Sequence, residues 1–207
     1  LAALARNERF VVSTATRALQ DQLVDRDIPA LLRHAGLQRR VAVLKGRENY
    51  VCLLGLSQAR LKVAAADMPG LAQVDHWAQS ASVGDLAELE DVRHLPRLLP
   101  HITASHSECI GQRCAYFERC FSNRARAKAA QSDILVINHH LFFSELRHRQ
   151  MLGADHGFVP LASTVVLDEA HQLQAIGLKV LAKGLNVADL QDYVQAVARH
   201  TQQHARG

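Results

Sequence analysis

The chain of 207 residues carries 24 Lys and Arg against 20 Asp and Glu, a net charge of +4, and 48% of its residues are hydrophobic. That length supports one sizeable core plus a smaller inserted unit, and no apolar run approaches the ~18 residues that a membrane-spanning helix needs. Arg6, Glu8 and Arg9 interrupt the opening stretch "LAALARNERF", which argues against a secretory leader.

In chain order, "RFVVSTA" (9–15) predicts a short apolar strand. The helical pattern "TRALQDQLVDRD" comes next, with Leu19 and Leu23 on one face, and Pro29 is expected to interrupt or bend it. A second strand, "RVAVLKG" (40–46), ends in glycine. "DILVIN" (133–138) and "STVVLDEA" (163–170) are short, β-branched runs with helical stretches behind them, and read as fully buried strands of a parallel sheet. The expected class is α/β. Residues 47–128 differ in character: they hold all four cysteines, the only tryptophan (Trp77) and three of the five prolines (Pro69, Pro96, Pro100), with no strand pattern. This region reads as a mostly helical insertion, with loops near "DMPG" and "LLPHITASHS". Beyond the last strand, "LNVADLQDYVQAVARHTQQHA" (185–205) predicts a further helix.

Two constellations carry chemistry. In an open parallel sheet, ligands bind beyond the carboxyl ends of the strands. The run Val165, Val166, Leu167 delivers Asp168 and Glu169 to that edge. An aspartate there can hold Mg²⁺, which takes only one or two carboxylates and keeps several waters. The adjacent glutamate can orient and deprotonate a water attacking a γ-phosphate. The competing reading is an acidic pair at a helix start, where anions are favoured; the strand context and the full Asp-Glu-Ala-His string weigh against it. His139 and His140, in "NHHLF", read as a helix start near the same edge and are assigned no metal.

The second constellation is Cys52 with Cys109, Cys114 and Cys120, spaced C-x₄-C and C-x₅-C. Four thiolates satisfy one zinc ion or one cubane iron–sulfur cluster with none left over. The wide, irregular spacing suits the larger cluster somewhat better. Disulfides and simple burial of thiols stay open as alternatives. Arg113, Arg119, Arg124, Arg126 and Lys128 face the single acid Glu118 over the same stretch, and Lys45, Arg47 and Tyr50 precede Cys52. Positive charge with aromatic surface is what a groove for one nucleic-acid strand needs. Between the later cysteines, Tyr116 and Arg119 extend that pattern, while Phe117 reads as core.

"VVSTATRALQDQL", "KGRENYVC", the cysteine run, "DILVINHHLF" and "VVLDEAHQL" occur in one order, and from residue 9 to about 175 the chain resembles the DinG family of superfamily 2 DNA helicases, which includes YoaA and is related to the XPD helicase. The resemblance implies a RecA-like first motor domain with an inserted iron–sulfur domain. Residues 1–46 would be the first part of the motor, 47–128 the cluster domain, 129–175 the DEAH-box part, and 176–207 the start of a helical arch. Asp168 would bind the Mg²⁺ of Mg-ATP, Glu169 would be the catalytic base, and His171 would link hydrolysis to movement. Cys52, Cys109, Cys114 and Cys120 would ligate a [4Fe–4S] cluster. Ser13, Thr14 and Thr16 match the motif that touches the DNA backbone, where short hydroxyls position a strand without reading its sequence.

The same resemblance implies ATP-dependent 5′-3′ DNA unwinding in repair or replication, by a monomeric, bacterial, cytoplasmic motor. Its partners would be ATP and single-stranded and forked DNA, with no membrane. The chain contains no Gly-Lys-Ser or Gly-Lys-Thr, the end of a phosphate-cradling loop. In the family that loop lies just before the helix with which this chain begins, so the expectation is an internal fragment inactive on its own. The rival readings are a non-catalytic, metal-containing module that binds single-stranded DNA or a protein partner, a nuclease-type relative, and an RNA helicase. The cysteine insertion points away from the last.

Overall fold

A computed structural model of the chain describes residues 8–89, 91–92, 95–105, 108–153 and 157–182. Four strands form one parallel sheet: β1 (Phe10–Thr14), β2 (Val41–Val43), β3 (Ile134–Asn138) and β4 (Thr164–Leu167), in the order β2-β3-β1-β4. β1 lies centrally, in register with β3 from Phe10↔Ile134 to Thr14↔Asn138 and with β4 from Phe10↔Thr164 to Ser13↔Leu167. Parallel neighbours need long crossovers, usually helical, and helices supply them here.

The first crossover is α1 (Arg17–Gln22), a π turn (Leu23–Asp27) and α2 (Ile28–His34). Pro29 does not break the helix. The backbone widens ahead of it, Ile28 N–H donating to Leu23 C=O, and the proline then sits in the first turn of α2, where a missing N–H costs nothing. Side chains alternate across the sheet as the strand period of two requires. Phe10, Ile134 and Val136 pack under Ile28 and Leu32 of α2. On the opposite face, Val11, Leu135 and Ile137 pack with Ala129, Leu141 and Val159.

The long crossover between β2 and β3 holds α3 (Leu53–Ala59), α4 (Met68–Ser80), α5 (Leu95–Ile102) and α6 (Phe121–Ala130). It builds a separate apolar cluster from Val51, Leu56, Leu71, Val74, Leu98 and Ile102, with Phe121 among them. No ladder forms in it among the described residues beyond one bridge, Tyr50 to Asp85. One expected loop is helical instead, with Pro69 in the first turn of α4, and the other starts later than expected, after α5, which includes Pro100, ends at Ile102. Asn138 ends β3 and caps α7 (His139–Leu152), its side chain accepting from Leu141 N–H; α8 (Leu173–Leu181) comes after β4. Among the described residues no helix is long and apolar enough to cross a membrane. The helix expected over 185–205 lies outside the described residues.

β4 corrects one expectation. It is not fully buried: Val165, Val166 and Leu167 are 45%, 46% and 39% exposed. Among the described strands it is at the sheet's edge, with β1 as its one neighbour, so apolar composition alone misread its position.

Candidate active site

Asp168 and Glu169 stand at the carboxyl end of β4, beside the end of β1. Asp168 is held at three points. Its N–H donates to Ser13 C=O at 2.8 Å, extending the ladder by one bond. Its carbonyl accepts from His139 Nε2 at 2.8 Å. One carboxylate oxygen, Oδ2, accepts from Thr14 Oγ1 at 3.1 Å. His139 is fully buried, and burial pushes its imidazole pKa below the usual value, which favours the neutral ring. A carbonyl can only accept, so Nε2 carries the proton and Nδ1 accepts from Ser13 Oγ at 2.7 Å.

Glu169 turns the chain away from the strand. Its φ of 51° makes it the only non-glycine with positive φ among the described residues. Such conformations occur in few non-glycine residues and concentrate at functional turns. The carboxylate is exposed and lies 3.4 Å from His171 Nδ1, also exposed. Asp168 thus presents a fixed, half-buried carboxylate, with its neighbour free to meet solvent. That donor chemistry fits a magnesium ion that keeps much of its water shell.

Three of the expected strand contacts are buried, along with one aromatic. Ser13 and Thr14 are fully buried, and their hydroxyls are engaged by His139 and Asp168. Lys45 is buried too, its ammonium 2.7 Å from Asp85 Oδ2 and 2.9 Å from Asp21 Oδ1. Tyr50 is 2% exposed, and its hydroxyl accepts from Lys45 N–H. Burial opposes the Lys45 charge, but pairing with Asp85 and Asp21 outweighs it and lifts the pKa above the ordinary lysine value. These four side chains hold the fold together. Thr16 differs: it is exposed, and its Oγ1 caps α1 by accepting from Leu19 N–H.

Arg47 opens onto a cleft of about 610 Å³ that sequence reasoning missed. It lies between the segment after β2, Arg126 of α6, and α7. Arg47, Arg126, Arg147, His140 and His148 line it, with Glu48 the single acid among the described lining residues. Burial depresses the Arg126 pKa, and the nearby Arg47 charge depresses it further. The Arg126 guanidinium also stacks over the Phe158 ring, 5.1 Å from its centroid. The signal was divided between residues 47, 126 and 147, which only the fold brings together.

The four cysteines are all free and half-buried. Cys52 caps α3, its sulfur accepting from Gly55 N–H at 3.4 Å, and Cys120 immediately precedes α6. Burial raises the Cys52 thiol pKa, and Cys120 and Cys114 are near enough to raise it further. Arg126 feels Cys109 and Cys120. Cys52 thus lies near Cys114 and Cys120, although no three His, Cys, Asp or Glu side chains stand together as a metal-holding group among the described residues. Free, unpaired thiols on adjoining segments fit the donor chemistry of a thiolate-ligated cluster.

No protein-family model matches the chain. It is similar to the ATP-dependent DNA helicase YoaA of Haemophilus influenzae, 33% identical over 193 residues that cover 92% of this chain and 30% of the relative. YoaA of Escherichia coli is 33% identical over 203 residues, covering 94% of this chain and 31% of the relative. The ATP-dependent helicase DinG of Mycobacterium tuberculosis is 34% identical over 212 residues, covering 91% and 30%. The chain spans about 30% of the length of the curated relatives it matches. With the ordered motifs on a parallel α/β sheet and similarity across nine-tenths of its length, the chain belongs to the DinG family of helicases.

Proposed function

We propose that this chain forms part of the first motor domain of an ATP-dependent DNA helicase that unwinds with 5′-3′ polarity. The carrying observation is the carboxylate pair at the carboxyl end of β4, with Asp168 locked to β1 and α7. Asp168 holds Mg²⁺ of the nucleotide; Glu169 orients and deprotonates the attacking water; His171, beside Glu169, passes the state of the site to a neighbouring element. The names of the similar proteins, ATP-dependent DNA helicases, support the activity.

Single-stranded DNA, displaced at a fork, is the polymer that would occupy the basic cleft. Arginine guanidiniums suit phosphate oxygens, and the Phe158 ring holds the Arg126 guanidinium in place at the cleft. Arg47 and exposed Thr16 remain as strand contacts. Residues 47–128 would hold a [4Fe–4S] cluster on Cys52, Cys109, Cys114 and Cys120, fixing the insertion beside the cleft. Residues 176–207 would open a helical arch, and the motor would work as a cytoplasmic monomer in DNA repair.

The full-length protein tests this with ATP, Mg²⁺ and forked DNA bearing a free 5′ or 3′ tail. The expected result is strand separation from the 5′-tailed fork. Glu169→Gln should lower ATP turnover about 100-fold or more while nucleotide binding persists. Separation from the 3′ tail alone would reverse the polarity. Full turnover by Glu169→Gln would remove the glutamate from its role.

A further inference from the structure

Ser13, Thr14 and His139 are each 0% exposed, and all three converge on one residue from two different elements. Thr14 Oγ1 donates to Asp168 Oδ2 at 3.1 Å. His139 Nε2 donates to the Asp168 carbonyl at 2.8 Å, and Ser13 Oγ donates to His139 Nδ1 at 2.7 Å. The carbonyl fixes the imidazole tautomer, and the tautomer fixes the direction of the serine hydroxyl, so the relay admits one arrangement. Groups with nothing to offer a substrate from a buried position have a different use: they fix the direction in which a carboxylate points.

We propose that Ser13, Thr14 and His139 are positioning residues for Asp168, aiming its free carboxylate oxygen at the metal of the bound nucleotide. Thr14 occupies Oδ2 and leaves Oδ1 as the oxygen for the metal side. His139 holds the peptide of Asp168 against rotation, and Ser13 holds His139 in the required tautomer. Outer partners of a metal-ligating carboxylate typically contribute about 10- to 100-fold to metal affinity. The relay also joins the end of β1 and the first residue of α7 to the residue after β4, so three elements meet at one residue. This inference rests on the magnesium role given to Asp168 above.

The test uses the full-length protein and titrates Mg²⁺ against binding of a fluorescent adenine nucleotide, with ATP turnover and melting temperature alongside. Asp168→Asn reports on the site itself. If that variant leaves the Mg²⁺ dependence untouched, the nucleotide reading and this proposal both fall. If it shifts the dependence, Thr14→Val decides. That change is close to isosteric and leaves the packing intact. It should raise the Mg²⁺ needed for half-maximal binding about 10-fold, with little change in melting temperature, and Thr14→Ser should restore the wild-type value. His139→Gln, whose amide can donate to the Asp168 carbonyl and accept from Ser13, should bind Mg²⁺ more nearly as wild type than His139→Leu does. A wild-type Mg²⁺ dependence in Thr14→Val, beside a shifted Asp168→Asn, overturns the proposal while leaving the nucleotide site standing. Thr14→Val carries that decision even where His139→Leu fails to fold.

Discussion

The ammonium of Lys45 lies between the carboxylates of Asp85 and Asp21, 2.7 Å from the first and 2.9 Å from the second. One buried charge therefore ties the end of β2 to α1 and to the inserted segment. Removing it leaves Asp85, only 15% exposed, without its counter-ion. Lys45→Met should destabilise the protein by about 2–4 kcal/mol at neutral pH, a little under the roughly 3–5 kcal/mol for breaking a fully buried pair because Asp21 is 46% exposed. The sign with pH comes from the raised pKa of Lys45. Its contribution is complete below the ordinary lysine pKa and is lost as pH rises through the folded value. The gap between wild type and variant, read from denaturant melts, should begin to narrow above about pH 10.4 and close only past the raised folded value; a gap that stays constant across that rise contradicts the pairing.

Arg47 and Arg126 face one cleft in which Glu48 is the single acid among the described lining residues. Arg47→Ala and Arg126→Ala should each weaken binding of the full-length protein to labelled oligo-dT, and should do so equally on mixed-sequence strands. Each phosphate that a single strand no longer has neutralised lowers the slope of log affinity against log salt by about 0.7. An unchanged salt slope would take the DNA out of this cleft.

Cys52, Cys109, Cys114 and Cys120 are all free thiols, and Cys52 lies near Cys114 and Cys120. Anaerobically purified full-length protein should be brown, with about four irons and four sulfides for four cysteine ligands. Cys52→Ser should lose the visible absorption as completely as Cys114→Ser, although Cys52 is far from the others in sequence. A colourless protein with a single zinc would replace the cluster with a smaller site.

Gly84 has φ +71°, and a Cβ built there would lie 2.2 Å from Cγ of Phe121, whose ring closes the apolar cluster of the insertion. Alanine meets both a left-handed backbone and an occupied volume. Gly84→Ala should cost about 2–4 kcal/mol, seen as a lower melting midpoint. A variant as stable as wild type would mean that Phe121 can move aside freely.

Much of the sheet could be read from residue order alone, because β1 and β3 are short β-branched runs whose alternate residues pack on opposite faces. The helical character of the crossover between β2 and β3 was legible through its lack of alternation. Asp168 and Glu169 were placed at a strand end correctly, since an apolar run leading into an acidic pair has few other readings. Composition could not show tertiary partnership. Lys45 and Tyr50 have the residue types of a strand-binding surface, yet burial beside Asp85 and Asp21 makes them internal. Ser13 and Thr14 look like phosphate contacts until β4 brings Asp168 alongside them. His139 offered no periodic signal, and its role depends on a residue 29 positions away.

The open side of β4 has a practical consequence for anyone handling this polypeptide by itself. Its backbone amides and carbonyls on that side are unmatched within the described sheet, and Val165, Val166 and Leu167 stand beside them exposed. An exposed apolar edge of this kind recruits strands from other molecules. Recombinant expression of these 207 residues alone should yield concentration-dependent multimers unless that edge is covered, and a charged substitution at Val166 should delay their onset.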